Sequence, residues 1–293
     1  MIHFGPKSRA GWTCAILAPG SAILLLCLGF RHIEDINLFH PEEAIYPNPV
    51  SALQGHLLKD RIQDVRFQSR DGTMLDAWYI PPRENNPTVV FAHGNGGNIG
   101  DRLSVIEIFT RAGYGFFAFD YRGYGKSEGV PSEQGLYQDM EAASHYLKTV
   151  QHTPLSKQIA LGGSLGSGVV VDVATRLPFR AVVIFATLTS TPDVAEYILR
   201  NTYGRYLPVQ FIMAQRFDSL SKVGKIQSPL IIMHGTNDHM MPLWMPKALY
   251  AKAKTPYKKL LIIPGAGHND VLERGSASLL QSLHELLQQS QTG

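Results

Sequence analysis

The stretch "LGGSLGSG", residues 161–168, sets Ser164 among glycines at the end of an apolar run and just ahead of a helix-compatible segment. A serine on a sharp strand-to-helix turn needs small neighbours, because side chains beside it would collide with the strand and the helix. Gly162-x-Ser164-x-Gly166 meets that requirement. The same short pattern also fits a serine that merely lets the chain bend, so the flanking sequence has to separate the two readings.

Outward from this turn the chain alternates between strand and helix patterns. "TVVFAHG" (88–94), "GFFAFD" (115–120), "KQIALGG" (157–163), "RAVVIFAT" (180–187), "SPLIIMHG" (228–235) and "KKLLIIPG" (258–265) are short apolar runs bounded by turn residues. Buried parallel strands need such runs. "DVRFQSRDGTMLDAWYI" (64–80) reads as a hairpin turning at Asp71-Gly72. Helical spacing is found over 101–112 and, after Pro131-Ser132, at Leu136, Met140, Ala143, Tyr146, Leu147 and Val150. Further helices are expected over 166–177, 242–254 and 276–289. This alternation predicts an α/β fold: a mostly parallel twisted sheet with helices on both faces, joined by right-handed crossovers. There is no internal repeat and no low-complexity tract.

The chain has 293 residues, 44% hydrophobic and 17% charged, which allows one large core. A net charge of +3, with no basic run interleaved with aromatics, gives no footprint for nucleic acid. Cys14 and Cys27, the two cysteines, both fall in the N-terminal apolar stretch, which leaves the rest of the chain no disulfide or thiolate metal site. That stretch, "GWTCAILAPGSAILLLCLGF" (11–30), carries no charge and follows Lys7 and Arg9. Twenty helical residues span roughly 30 Å, the thickness of a bilayer's hydrocarbon core. We therefore expect residues 1–30 to act as a membrane anchor, with a cleaved signal peptide as the rival. The balance of Lys7, Arg9 and the amino terminus against Arg31 puts the following domain on the exoplasmic or periplasmic side, or outside the cell if the segment is cleaved. Residues 31–58, with "HPEEAIYPNPV" (40–50), read as a linker, and 59–293 as the folded domain.

In parallel α/β sheets, ligands gather beyond the carboxyl ends of the strands. Five such ends carry glycine or reactive side chains: His93 to Gly97, Asp120 to Gly123, Gly163-Ser164, His234 to Asp238, and Pro264 to His268. A hydroxyl is a weak nucleophile near neutral pH and needs a base to take its proton. His268, in the loop after a buried strand, is the candidate base. A carboxylate must hold that base in one tautomer. Asp238 stands at the preceding strand end, and Asp270 is the alternative from the same loop as His268; His239 reads as a rim residue. A tetrahedral oxyanion needs preorganised donors, each worth about 3 kcal/mol. The backbone N–H of Leu165 and that of Asn95, in "HGNGG", can supply them. Gly94 and Gly96, with Asp120 further on, also resemble part of a dinucleotide fingerprint, but its third glycine position is Ile99 and the pattern fails.

Taken in order, "FAHGNGGNIG", "FDYRGYGKSEG", "GGSLGSG", "HGTNDHMMP" and "PGAGHND" resemble the landmarks of the α/β-hydrolase superfamily. The likeness is greatest to its membrane-anchored serine-hydrolase branch, the bud-emergence type related to α/β-hydrolase-domain and depalmitoylase proteins, and runs from about residue 60 to the C-terminus. It implies Ser164 as nucleophile, His268 as base, Asp238 as acid, and Asn95 and Leu165 as oxyanion donors, with no metal or organic cofactor. It implies hydrolysis of an ester or thioester on a small molecule, a lipid or an acylated protein. A peptidase of the same fold and a tethered scaffold without turnover are the alternatives. Gly163 departs from the bulkier residue many relatives carry before the serine. Residues about 188–226 occupy the position of a cap, and aromatics there such as Tyr197, Tyr203, Tyr206, Phe211 and Phe217 either cover the sheet or line an acyl pocket. Arg122, Lys126 and Glu128 read as structural or rim residues.

Overall fold

The computed structural model describes residues 31–42 and 61–289. Eight strands form one sheet: β1 (Gln63–Gln68), β2 (Met74–Ile80), β3 (Thr88–Ala92), β4 (Gly115–Phe119), β5 (Gln158–Gly163), β6 (Ala181–Phe185), β7 (Leu230–Gly235) and β8 (Lys258–Ile263). Their spatial order is β1-β2-β4-β3-β5-β6-β7-β8. The six strands from β3 to β8 are parallel to one another; β1 and β2 form the antiparallel hairpin expected at Asp71-Gly72. Every residue of the central strand β3 is buried, whereas the outermost strand β1 alternates between buried and exposed. That contrast follows from covering β3 on both faces while β1 lies at the edge.

Side chains alternate across the sheet and so divide the core into two halves. Val90 and Ala92 join one apolar cluster, Val89 and Phe91 the other. Helices α2 (Glu133–Thr149), α3 (Leu165–Ala174) and α5 (Trp244–Lys252) close the first face through Leu136, Met140, Val169, Met245 and Leu249. Helices α1 (Leu103–Arg111) and α6 (Ser276–Gln289) close the second through Ile106, Phe109, Leu279 and Leu283. Helix α2 starts where expected: the Ser132 hydroxyl accepts the Gly135 N–H at 3.1 Å. Arg122 has the structural place assigned to it, pairing with buried Asp139 and with Asp71 at 2.8 Å each and so tying α2 to the hairpin turn.

The segment 31–58 differs from its reading as a linker. Residues 31–38 are helical and packed on the domain; residues 43–58 lie outside the described residues. The Glu34 carboxylate is buried and accepts the N–H groups of Ala214 and Gln215 at 3.0 and 2.8 Å, and Phe39 enters the core against Phe217. Proline and acid content hid this, because the partners of Glu34 are 180 residues away in sequence. The expected anchor, residues 1–30, lies outside the described residues. Among the described residues no helix is long and apolar enough to cross a membrane. Between β6 and β7 the chain forms helix α4 (Thr191–Leu199) and short turns at Tyr203–Tyr206, Val209–Ile212 and Ser219–Lys222.

Asp76, on β2, is 2% exposed, and burial, with Asp64 adding, pushes its carboxyl up to about 6. The folded chain thus holds a proton there that the unfolded chain, titrating near 4, has released. This group makes stability fall as pH rises from about 4 to about 6, by about 3 kcal/mol in all, with no further change above. Urea denaturation should find Asp76→Asn more stable than wild type at pH 8, with that gain gone at pH 4.

Candidate active site

Strand β5 ends at Gly163, and helix α3 begins at Leu165, so a single residue makes the turn. Ser164 has φ 53° and ψ −123°, a region L-residues rarely occupy and one that costs of order 1–3 kcal/mol. The glycines permit it by contact distance. A Cβ on Gly162 would lie 2.4 Å from the Gly166 carbonyl oxygen, and one on Gly166 would lie 2.0 Å from that of Ala92. Gly163 faces the Phe185 ring, which a Cβ would meet at 2.3 Å. Phe185 thus fills the space that a bulkier residue before the serine would need.

The sheet brings the distant candidates together. His268 Nε2 is 3.0 Å from Ser164 Oγ, and His268 Nδ1 is 2.8 Å from Asp238 Oδ2. A carboxylate facing Nδ1 accepts its proton's hydrogen bond, which leaves the Nε2 lone pair toward the serine hydroxyl. Asp238 Oδ1 accepts the N–H groups of Met240 and Met241 at 2.9 and 2.8 Å. Burial pushes the Asp238 carboxyl up, but the hydrogen bond and charge of His268, with the Met241 N–H, outweigh it and hold the group below the usual range. Asp270, the alternative, instead accepts the Gly267 N–H at 2.6 Å and pairs with Arg274. His234, buried on β7, donates from Nε2 to the Met241 carbonyl and braces the loop that carries Asp238.

Asn95 and Leu165 both lie beside Ser164. Leu165 opens helix α3, and the first N–H groups of a helix have no carbonyl partner within it. The loop after β3 is fixed through its carbonyls. Tyr121 and Tyr124 hydroxyls donate to His93 O and Asn95 O at 2.9 and 2.8 Å, the His40 N–H also donates to Asn95 O, and Arg102 donates to Gly96 O. The Gly94 carbonyl is 2.7 Å from His93 Nδ1, which must therefore carry the proton. In a trans peptide the C=O and N–H point oppositely. Pinning Gly94 O on the His93 ring thus turns the Asn95 N–H the other way. His93 itself is buried against the Tyr121 ring, and burial lowers its basicity to about 3; its neighbour Asp120 is pushed well up, so both stay neutral. Asp120 spends Oδ1 on the Ile99 N–H, in the interior, where no ribose could reach it.

The sequence marks His93, Tyr121 and His234 only as strand-end residues and gives no signal for Tyr124. The bracing roles of Tyr121 and Tyr124 depend on β3 and β4 being neighbours, which the sequence order does not state, whereas that of His234 is local to the loop after β7. Beside Ser164 opens a cleft of about 590 Å³. Phe91, Val105, Phe185, Ala186, Met240 and Leu272 line it, with Glu42, Asp101, Arg102 and Glu273 also on its walls. None of its lining residues comes from 188–226, so the cap aromatics do not form this cleft. Phe217 packs in the core, while Tyr203 and Phe211 face solvent. Among the described residues no group of three or more His, Cys, Asp or Glu is placed to hold a metal ion.

Comparison with known proteins agrees with this architecture. The sequence model of the family "Serine aminopeptidase, S33" matches residues 83–210. The "Uncharacterized protein YfhR" of Escherichia coli strain K12 is 32% identical over 245 residues, covering 80% of each chain. "Alpha/beta hydrolase domain-containing protein 17C" of Xenopus tropicalis is 34% identical over 214 residues, 72% of this chain and 66% of the other. Among solved structures, the Pyrococcus furiosus esterase Pf2001 superposes with a TM-score of 0.68 at 19% identity, over 85% of this chain and 98% of the esterase. The protein belongs to the α/β-hydrolase superfamily. Within it, the chain groups with the YfhR proteins of enteric bacteria.

The glycine contacts give a graded expectation. Gly163→Ala should remain folded at a cost of about 1–3 kcal/mol, because the tip of the Phe185 ring can swing aside. Gly166→Ala meets backbone that cannot move, and should fail to give folded protein. Urea denaturation of the two variants checks the contrast.

Proposed function

We propose that this protein is a serine hydrolase that cleaves carboxylic esters or thioesters through a covalent acyl-enzyme. The observation that carries the reading is the continuous run from Ser164 Oγ to His268 Nε2 and from His268 Nδ1 to Asp238, at 3.0 and 2.8 Å. Ser164 Oγ attacks the substrate carbonyl carbon as its proton passes to His268 Nε2. Asp238 holds the imidazole and stabilises the imidazolium that forms. The N–H groups of Leu165 and Asn95 receive the negative charge on the former carbonyl oxygen. Collapse expels the alcohol or thiol, which takes the proton from His268. Water, activated by the same histidine, then releases the acid and restores Ser164. This scheme uses no metal or organic cofactor.

A fluorophosphonate probe should label the wild-type protein at Ser164, and Ser164→Ala should abolish labelling. Asp238→Asn should lower kcat by about 10⁴-fold, since it favours the wrong histidine tautomer. His93→Phe keeps the ring on Tyr121 and removes the donor that orients the Gly94–Asn95 peptide; kcat for an acyl ester should fall about 10- to 100-fold with KM little changed. Folded wild-type protein that resists the probe would transfer support to the scaffold reading.

The description of the matching family favours one second reading, an aminopeptidase. Glu42 and Glu273 on the cleft wall supply carboxylates that could receive a free amino terminus. Faster turnover of aminoacyl anilides than of the matching simple esters would favour it. We further propose that the uncharged segment 11–30 anchors the protein in a membrane, with the catalytic domain on the exoplasmic or periplasmic side.

A further inference from the structure

The cap carries large apolar side chains with nothing over them. Tyr203 is 93% exposed, Phe211 90% and Tyr206 71%, and Leu207 is half exposed between them. At about 200 Å² per aromatic side chain, the three rings present on the order of 500 Å². Exposed apolar area of that order on one face is often functional. The rings are also accompanied by cations. The Arg205 guanidinium lies 4.8 Å over the Tyr206 ring, and that of Arg200 lies 3.5 Å over the Tyr197 ring.

The position of this surface in the chain identifies its occupant. Helix 31–38 is clamped to the base of the cap by Glu34, on the N–H groups of Ala214 and Gln215, and by Asp35, on the Gln215 side chain at 2.9 Å. The outward side of that helix carries two more exposed apolar residues, Ile33 and Ile36, each more than half exposed. Arg31, the first described residue of that helix, directly follows the uncharged stretch 11–30 in the sequence. A chain leaving a bilayer at the end of that stretch has only three residues to run before Glu34, which is bonded to the cap. Aromatic rings flanked by arginines are the side chains that partition to the boundary between headgroups and acyl chains, the arginines meeting lipid phosphate.

We propose that the Tyr203–Phe211 face of the cap rests in the interfacial layer of an anionic lipid bilayer, as a second contact beyond the N-terminal anchor. The proposal rests on the anchor reading given above. It makes the cap an orienting foot, fixing how the domain stands on the membrane and leaving the cleft beside Ser164 to receive substrate.

The test uses the full chain with Cys14→Ser and Cys27→Ser, and a single environment-sensitive fluorophore on Phe211→Cys. A second version carries it on Val150→Cys, an exposed position at the end of α2. Both are reconstituted into vesicles of phosphatidylcholine and phosphatidylglycerol, with and without spin-labelled lipid. Flotation reports the anchor, and quenching reports the cap. The expected result is co-flotation, with quenching at position 211 several-fold stronger than at 150 and weakened by Tyr203→Ser with Tyr206→Ser. Co-flotation with equal, weak quenching at both positions would overturn the cap contact while leaving the anchor standing. Chain that stays with the aqueous fraction would overturn both. Shielding of position 211 that grows with protein concentration and ignores the lipid quencher would assign the face to a second copy of this chain, and would also overturn the proposal.

Discussion

Helix α3 begins one residue after β5 ends, and that is possible only because its first turn touches the backbone of β3. Gly166 lies so close to the Ala92 carbonyl that no β-carbon fits between them. Ser164, at the turn, takes φ 53°, and its hydroxyl lies 3.0 Å from His268 Nε2. The contact also brings the Gly94 loop within reach of the serine, since the same β3 residues that receive the helix lead into that loop. The positions of Ser164 and of the loop beside it are therefore consequences of one backbone packing event, and strain at Ser164 is stored in a core that has no room to relax it.

Three layers of support stand behind the reacting groups. Ser164 depends on His268, which depends on Asp238, which is held by the N–H groups of Met240 and Met241, braced in turn by His234. On the other side, each carbonyl of the loop from His93 to Gly96 accepts a hydrogen bond from behind. A peptide whose oxygen is already committed presents its N–H in a fixed direction. In the mechanism proposed above, stabilising a developing negative charge would then require little reorganisation, which is how enzymes gain most from electrostatics.

The strand order of chemistry was legible in the sequence because apolar runs ended in glycine, histidine and aspartate at regular intervals. Parallel topology then places all such ends on one edge, so Ser164, Asp238 and His268 could be brought together without any knowledge of distances. Gly162 and Gly166 were legible for the steric reason the structure displays. What composition could not reveal was direction. The cap aromatics looked like pocket or core residues, yet Phe217 packs inward and Phe211 points out, although both are phenylalanines six residues apart. Nor could proline and acid content reveal that Glu34 is buried, because the groups that satisfy it lie 180 residues further along the chain.

The His40 N–H donates to the Asn95 carbonyl, and residues 40–41 pair in parallel with 96–97. A piece of chain from before the sheet is thereby woven into the loop beside Ser164. A domain boundary drawn at residue 59 would look natural on a hydropathy plot, yet it would cut this thread. A fragment so trimmed would lose the His40 donor to Asn95 and would uncover the amide groups that Glu34 now satisfies. Shortened versions of this protein should therefore begin no later than residue 31, so that the sheet keeps the strand-like graft that steadies its most sensitive loop.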